Sequence, residues 1–173
     1  MDTDTDTTTF STTFTTFESP LGELLLVGRA GVLTSLSMPG QRTAPAVRAD
    51  WRRDDDAFSE ATAQLTAYFA GRLTRFDLRC AAHGTDFQRR VWQAVDAIPY
   101  GTTTTYGALG ARLGVARADT PAVGAALGAN PLLIVRPCHR VIGADGSMRG
   151  YAGGVERKVR LLTHEGALQP TLV

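Results

Sequence analysis

A proline interrupts an apolar stretch late in this chain, and what stands at the interruption constrains the fold strongly. Leu132-Leu133-Ile134-Val135 leads through Arg136 to Pro137-Cys138-His139-Arg140, and Val141-Ile142-Gly143 follows. The first run reads as a strand. Proline disfavours helical geometry at the residue before it and offers no ladder donor, so that strand is expected to stop and deliver Cys138 and His139 onto irregular backbone. Neighbouring residues of a strand face opposite ways. Off the strand, sulfur and imidazole can share one site, where a base raises the thiolate fraction that makes cysteine a nucleophile. A buried cysteine beside a surface histidine is the alternative that the dipeptide alone leaves open.

With 173 residues and 43% hydrophobic content, the chain has enough material for one ample core or two small ones. No apolar run approaches the roughly 18 residues that span a bilayer, and the start Met1-Asp2-Thr3-Asp4-Thr5-Asp6 is acidic where a leader would be basic. A cytoplasmic protein without a membrane partner is expected. Cys80 and Cys138 have no CxxC spacing, so free thiols are expected, and the three scattered histidines give no metal-ligand pattern. The net charge of +1 hides an asymmetry: residues 1–80 hold 11 acids and 8 bases, net −3, while residues 81–173 hold 6 acids and 10 bases, net +4. The second half is therefore the candidate for meeting a polyanion. Seventeen of the 18 basic residues are arginine, and Lys158 is the single lysine.

Three segments are expected: a disordered Thr/Asp tail over 1–13, a first domain over 14–83 and a second over 84–173. Leu24 to Val27 and Val32 to Leu36, separated by a turn at Gly28 to Gly31, read as a hairpin. Gly40 to Asp56 reads as a loop and Ala57 to Ala70 as a helix whose stripe is Leu65, Tyr68 and Phe69. Thr74 to Leu78 reads as extended. Thr85-x-x-Gln88 is a capping-box pattern that opens a helix carrying Phe87, Val91, Val95 and Ile98, which Pro99-Tyr100-Gly101 ends. Thr104 to Leu113 reads as a short helix. Thr120 as N-cap and Pro121 as first helical residue open another, and the two in succession resemble a helix-turn-helix. Ala122, Gly124, Ala125, Ala126, Gly128 and Ala129 leave that last helix almost bare of long side chains. Its glycines cost about 0.5–1 kcal/mol each in helical stability. Something is therefore expected close to its backbone, either a neighbouring helix or the wall of a narrow nucleic-acid groove.

Taken in order, these residues resemble the O6-alkylguanine-DNA alkyltransferases, the methylated-DNA:protein-cysteine methyltransferase family. The resemblance runs from about Phe17 to Gly166. It is carried by Gly84-Thr85-x-Phe87-Gln88-x-x-Val91-Trp92, Ile98-Pro99-Tyr100-Gly101-x-Thr103-x-x-Tyr106-Gly107, Ala122-Val123-Gly124, Gly128-x-Asn130-Pro131, Ile134-Val135-x-Pro137-Cys138-His139-Arg140-Val141-Ile142-Gly143, Gly150-Tyr151-Ala152-Gly153-Gly154 and Lys158-x-x-x-Leu162. The fold it implies is of the α/β (α+β) class. A small N-terminal domain would resemble ribonuclease H, and a mostly helical C-terminal domain would resemble a winged helix-turn-helix.

The resemblance also implies a partner and a chemistry. The partner is double-stranded DNA containing alkylated guanine, chiefly O6-methylguanine, with alkylated thymine left open; the protein would be a monomer off DNA, with no metal and no organic cofactor. Such proteins enter from the minor groove, and the O6 oxygen lies on the major-groove edge, so the base must be rotated out to meet a sulfur. By similarity Cys138 is the nucleophile, His139 its base through a water, and Glu165 the group that orients the histidine. Asn130 hydrogen-bonds near the thiolate, and Tyr106 and Lys158 stabilise or protonate the departing guanine. Tyr151 lines the pocket and the backbone at Val141 contacts the base, with Ala122, Gly124 and Arg140 on the DNA-binding side. A thioether has no acyl or phosphoryl centre for water to attack, so each molecule is expected to act once.

One position departs from the pattern. The family's helix opens with Arg-Ala-Val-Gly, and that arginine fills the space left by the flipped base. Here Pro121 stands in its place, an apolar wedge without a guanidinium, and Arg117 on the preceding connection is the candidate substitute. Two other classes compete: a lesion-binding protein that recruits repair factors, which in relatives lacks the cysteine, and a thiol hydrolase built on Cys138 and His139.

Overall fold

The computed structural model describes residues 10–169. The first half is a four-stranded sheet with a helix. Strands β1 (Thr12–Ser19), β2 (Gly22–Arg29) and β3 (Val32–Ser37) form an antiparallel meander, and the two-residue β4 (Arg52–Arg53) adds to β1 in parallel, giving the order β3-β2-β1-β4. The expected hairpin is β2–β3, with Ala30 and Gly31 at positive φ in its turn. Strand β1 begins at Thr12, two residues inside the segment assigned to the tail; residues 1–9 of that tail lie outside the described residues. Its buried positions include threonines with satisfied hydroxyls: Thr15 Oγ1 donates to Asp55 Oδ1 at 2.7 Å, which with Arg53 holds the Asp55 carboxyl below its ordinary range. A short 3-10 turn (Asp56–Phe58) leads into helix α1 (Ser59–Phe69), whose buried face carries Ala61, Leu65 and Tyr68. The segment Thr74 to Leu78 forms no strand.

Helix α2 (Asp86–Asp96) opens the second half with both bonds of its capping box. Gln88 N–H donates to Thr85 Oγ1 at 3.1 Å and Thr85 N–H to Gln88 Oε1 at 2.9 Å, satisfying two donors that a helix start leaves without partners. Its buried stripe is Val91, Trp92 and Val95. Helices α3 (Tyr106–Arg112) and α4 (Thr120–Gly128) form the helix-turn-helix, joined through a 3-10 turn at Arg117–Asp119. Trp92 Nε1 donates to the Ala126 carbonyl at 2.9 Å, fixing α4 against α2. Thr120 is the first helical residue rather than the N-cap, because its hydroxyl donates back to the Arg117 carbonyl at 2.8 Å. Two-residue strands β5 (Thr104–Thr105) and β6 (Val141–Ile142) pair in parallel, and α5 (Val155–His164) is the last helix among the described residues.

The halves share one core. Edge strand β3 is covered on its open side by backbone from both: Leu33 N–H donates to Arg79 O, Leu36 N–H to Pro131 O at 2.9 Å, and Leu133 N–H to Leu36 O at 3.1 Å. That pairing closes an edge that would otherwise template aggregation. The buried cluster runs without a break from Leu24 and Leu36 through Leu65, Val95 and Leu132 to Leu161. Arg157 on α5 adds bonds to the carbonyls of Leu21 at 3.0 Å and Pro39 at 2.8 Å. Among the described residues no helix is long and apolar enough to cross a membrane.

Candidate active site

The expected strand before Pro137 is a buried turn instead. Ile134 has φ 69° while its side chain is 1% exposed, and Val135 N–H bonds to Leu133 O at 2.8 Å across it. That is a γ-turn centred on a β-branched residue, a strained conformation that persists only where surrounding packing over-determines it. Pro137 follows, and Cys138, His139 and Arg140 form one 3-10 turn that runs into β6. Proline removes the donor, as the sequence implies, but the apolar run before it meets the sheet only where Pro131 and Leu133 bond to Leu36 on the edge of β3, and then enters the buried turn.

Asn130, two residues past the end of α4, holds this turn. Its Oδ1 accepts the Leu132 N–H at 3.0 Å, which fixes the amide so that Nδ2 points to Cys138 Sγ at 3.1 Å and to the Arg136 carbonyl at 3.3 Å. Cys138 as a residue is 5% exposed. Burial pushes the Cys138 thiol up to about 11, a rise that the Asn130 amide and the Lys158 ammonium limit. Lys158 lies buried on α5 with Nζ donating to the Val141 carbonyl at 2.6 Å and reaching the Tyr106 hydroxyl at 3.5 Å. Burial brings it down to about 8, with the neighbouring Cys138 acting in the other direction. Tyr106, at the start of α3, donates its hydroxyl to the Arg149 carbonyl at 2.9 Å. A Cβ on Gly150 would come within 2.9 Å of that oxygen, so Gly150 is required by this approach as well as by its φ of 89°.

Behind the sulfur lies a buried polar network. His139 Nε2 donates to Glu165 Oε2 at 2.8 Å, both side chains being fully buried, and this leaves the Nδ1 lone pair without a partner among the described residues. Burial holds the imidazole below its ordinary pKa despite Glu165. Glu165 caps α5 and accepts from Arg140 Nε at 2.7 Å on Oε1, with Arg140 Nη2 at 3.2 Å and the Tyr68 hydroxyl at 2.6 Å on Oε2. These donors overcome burial and bring its carboxyl to about 2. Tyr151 is buried with its ring edge-on to His139 at 6.3 Å, and its hydroxyl has no partner among the described residues.

Seven of the residues singled out in the sequence therefore converge: Cys138, His139, Glu165, Asn130, Tyr106, Lys158 and Tyr151. Val141 joins them through its carbonyl. Arg140 does not face outward as expected of a DNA contact; it is 7% exposed, points inward to Glu165 and donates to the Ile98 carbonyl at 2.7 Å. A guanidinium beside a buried carboxylate gains more from that pair than from solvent. Pro121 and Ala122 are exposed on α4, Gly124 is half-buried and Arg117 is exposed on the preceding turn. A Cβ on Gly124 would meet nothing nearer than Tyr106 at 4.0 Å, and one on Gly128 would meet nothing. The slim face of α4 is therefore open, and packing against another helix does not explain its glycines. Tyr68 is a member of the network that the sequence reading missed. A tyrosine on a stripe otherwise made of leucine and phenylalanine was the available signal, since a buried hydroxyl requires a partner. A cleft of about 700 Å³ between the halves is lined by residues that include Cys80, Arg136, Pro137 and Arg140 but not Cys138.

Comparison with known proteins agrees with this arrangement. Residues 12–82 match the family model described as "6-O-methylguanine DNA methyltransferase, ribonuclease-like domain", and residues 86–167 match its "DNA binding domain". A methylated-DNA--protein-cysteine methyltransferase of Mycobacterium tuberculosis is 49% identical over 157 residues, covering 91% of this chain and 94% of that protein. One of Methanosarcina acetivorans is 44% identical over 151 residues, 87% of this chain and 96% of its own. The crystal structure of Mycobacterium tuberculosis OGT in complex with DNA superposes with a TM-score of 0.83 at 48% identity, covering 90% of this chain and 93% of that one. With relatives this similar along nearly their whole length, and with both halves matched, the chain belongs to the 6-O-methylguanine DNA methyltransferase family.

Proposed function

We propose that this protein repairs DNA by taking the alkyl group of an O6-alkylguanine, chiefly O6-methylguanine, onto Cys138 in a single irreversible event. The observation that carries the reading is the buried thiol 3.1 Å from the Asn130 amide, in front of a His139–Glu165 pair whose Nδ1 lone pair is free to accept a proton. A thiol near pKa 11 needs that base. The proton leaves Sγ through a water to His139 Nδ1, and Glu165 stabilises the imidazolium through Nε2–H. The sulfur electron pair then forms a bond to the alkyl carbon as the carbon–O6 bond breaks. The electrons of that bond pass into the purine, and Lys158 and Tyr106, 3.5 Å apart, supply the positive charge and proton that stabilise the departing base.

Base flipping from the minor groove is the route that brings the lesion to this pocket. The open, small-residue face of α4 around Gly124 supports close approach to a nucleic-acid backbone, and Pro121 at its start supplies an apolar wedge in place of the family's arginine. Tyr151 and the backbone at Val141 line the receiving pocket. A free thiol nucleophile suits a reducing compartment such as the cytoplasm, and the protein acts as a monomer off DNA. The experiment is repair of a duplex carrying one O6-methylguanine by the parent and by Cys138→Ser. The parent is expected to convert the lesion to guanine and the serine variant to leave it. Equal repair by both would exclude Cys138 as the acceptor.

A further inference from the structure

Glu165 stands just past the last turn of α5 and is followed by Gly166 at φ 76°, so its own helix does not fix its carboxylate. Something outside the helix must. Tyr68, from α1 in the ribonuclease-like half and 97 residues away in the chain, donates its hydroxyl to Glu165 Oε2 at 2.6 Å. The same oxygen accepts His139 Nε2–H at 2.8 Å. The Tyr68 carbonyl in turn accepts from His164 Nε2 at 2.7 Å, so one residue grips both members of the His164-Glu165 pair. Tyr68 is itself held rigidly, 1% exposed, with its ring packed against Phe69, Phe76, Tyr100 and His164 at centroid distances of 5.0–6.3 Å.

We propose that Tyr68 is a positioning residue for the acceptor site: its hydroxyl fixes the Glu165 carboxylate and takes up part of its charge, so that His139 is held in one orientation as a neutral imidazole. The inference rests on the alkyl-transfer reading above. A carboxylate oxygen shared among several donors offers less to each. Without the Tyr68 hydroxyl, Oε2 would place more of its charge on His139 and raise its resting affinity for a proton, while the carboxylate would lose the bond that holds the imidazole aimed at the thiol. Of the other groups facing His139, Arg140 also donates to Oε2, at 3.2 Å, and shares this contribution without supplying the shorter bond. Arg140 and Lys158 oppose its protonation, Cys138 precedes it on the same turn, and Tyr151 meets it only with a ring edge. From α1 the only contributor is Tyr68. The ribonuclease-like half thereby acts on the chemistry through a single hydroxyl.

The test compares Tyr68→Phe with Phe69→Leu in the full-length protein. Phe69→Leu loosens the packing around the Tyr68 ring without touching Glu165. The His139 imidazole is titrated by NMR without DNA, and the single-turnover rate is measured on duplex DNA carrying O6-methylguanine. In Tyr68→Phe the His139 midpoint is expected to rise by about 0.5–1 pH unit and the plateau rate to fall about 3- to 10-fold. In Phe69→Leu the midpoint is expected to stay with the parent. An unmoved midpoint in Tyr68→Phe would overturn the inference even if the rate fell, since that combination means loosened packing alone. If the parent itself transferred no methyl group the alkyl-transfer reading would fail, and the titration would still decide the role of Tyr68.

Discussion

A thiol near pKa 11 is roughly one part in ten thousand ionised at neutral pH, so the environment of Cys138 disfavours the nucleophile it needs. What the site offers instead is a short route for the proton and two groups, Asn130 and Lys158, that oppose the effect of burial. Removing one should show it. Asn130→Ala is expected to lower the single-turnover rate about 10-fold or more, since a charge-assisted hydrogen bond contributes about 1.5–3 kcal/mol, and to move the thiol titration further up when followed by thiolate absorbance. Glu165 carries a separate stability consequence. Its folded pKa of about 2 lies below the ordinary 4.5, so the stabilisation is fully present above pH 4.5 and is lost as pH falls toward 2. For a fully buried carboxylate this amounts to about 3 kcal/mol. Glu165→Gln leaves Arg140 buried without its counter-charge and is expected to cost about 3–5 kcal/mol at pH 7 by denaturant unfolding. The gap from the parent should narrow between pH 4.5 and 2, and a gap independent of pH would contradict the assigned network.

Helix α4 carries the argument at the next scale up. Its glycines weaken it without serving any contact inside the protein, since a methyl group on Gly124 fits at ordinary distance. Gly124→Ala is therefore expected to raise stability by about 0.5–1 kcal/mol. Ala125→Leu, on the exposed side, should leave stability within about 0.5 kcal/mol while weakening binding to duplex DNA in a salt titration. Unchanged DNA binding would remove the open face from the interface. Pro121→Arg restores the guanidinium that the family carries there and is expected to raise DNA affinity and repair rate, and no gain would show that proline serves equally well. Elements differ in how much of them the sequence disclosed. The capping box of α2 was fully legible, because Thr85 and Gln88 act within one turn. Strand β1 was not, because Thr-Thr-Phe-Thr-Thr-Phe carries little apolar signal and forms a strand only through its pairing with β2. Leu132 to Val135 misled because a short apolar run looks the same whether it enters a sheet or a buried turn.

Across the whole molecule the same division between local and distant contacts holds for the site. Cys138, Asn130 and Lys158 could be named from motifs, but the inward turn of Arg140 and the reach of Tyr68 depend on contacts 25 and 97 residues apart in the chain, which no spacing encodes. The Tyr68 contact joins the first half to the His139–Glu165 pair of the second, where Arg140 also converges. The central claim is that this assembly delivers one alkyl group to one sulfur and then stops. Mass spectrometry of the intact protein, after incubation with an excess of duplex carrying one O6-methylguanine, tests it most directly. The account predicts one methyl group per molecule, located on Cys138, with repaired DNA reaching a plateau equal to the protein added. Repair that continues past that plateau, or protein that binds the lesion and stays unmodified, would contradict it.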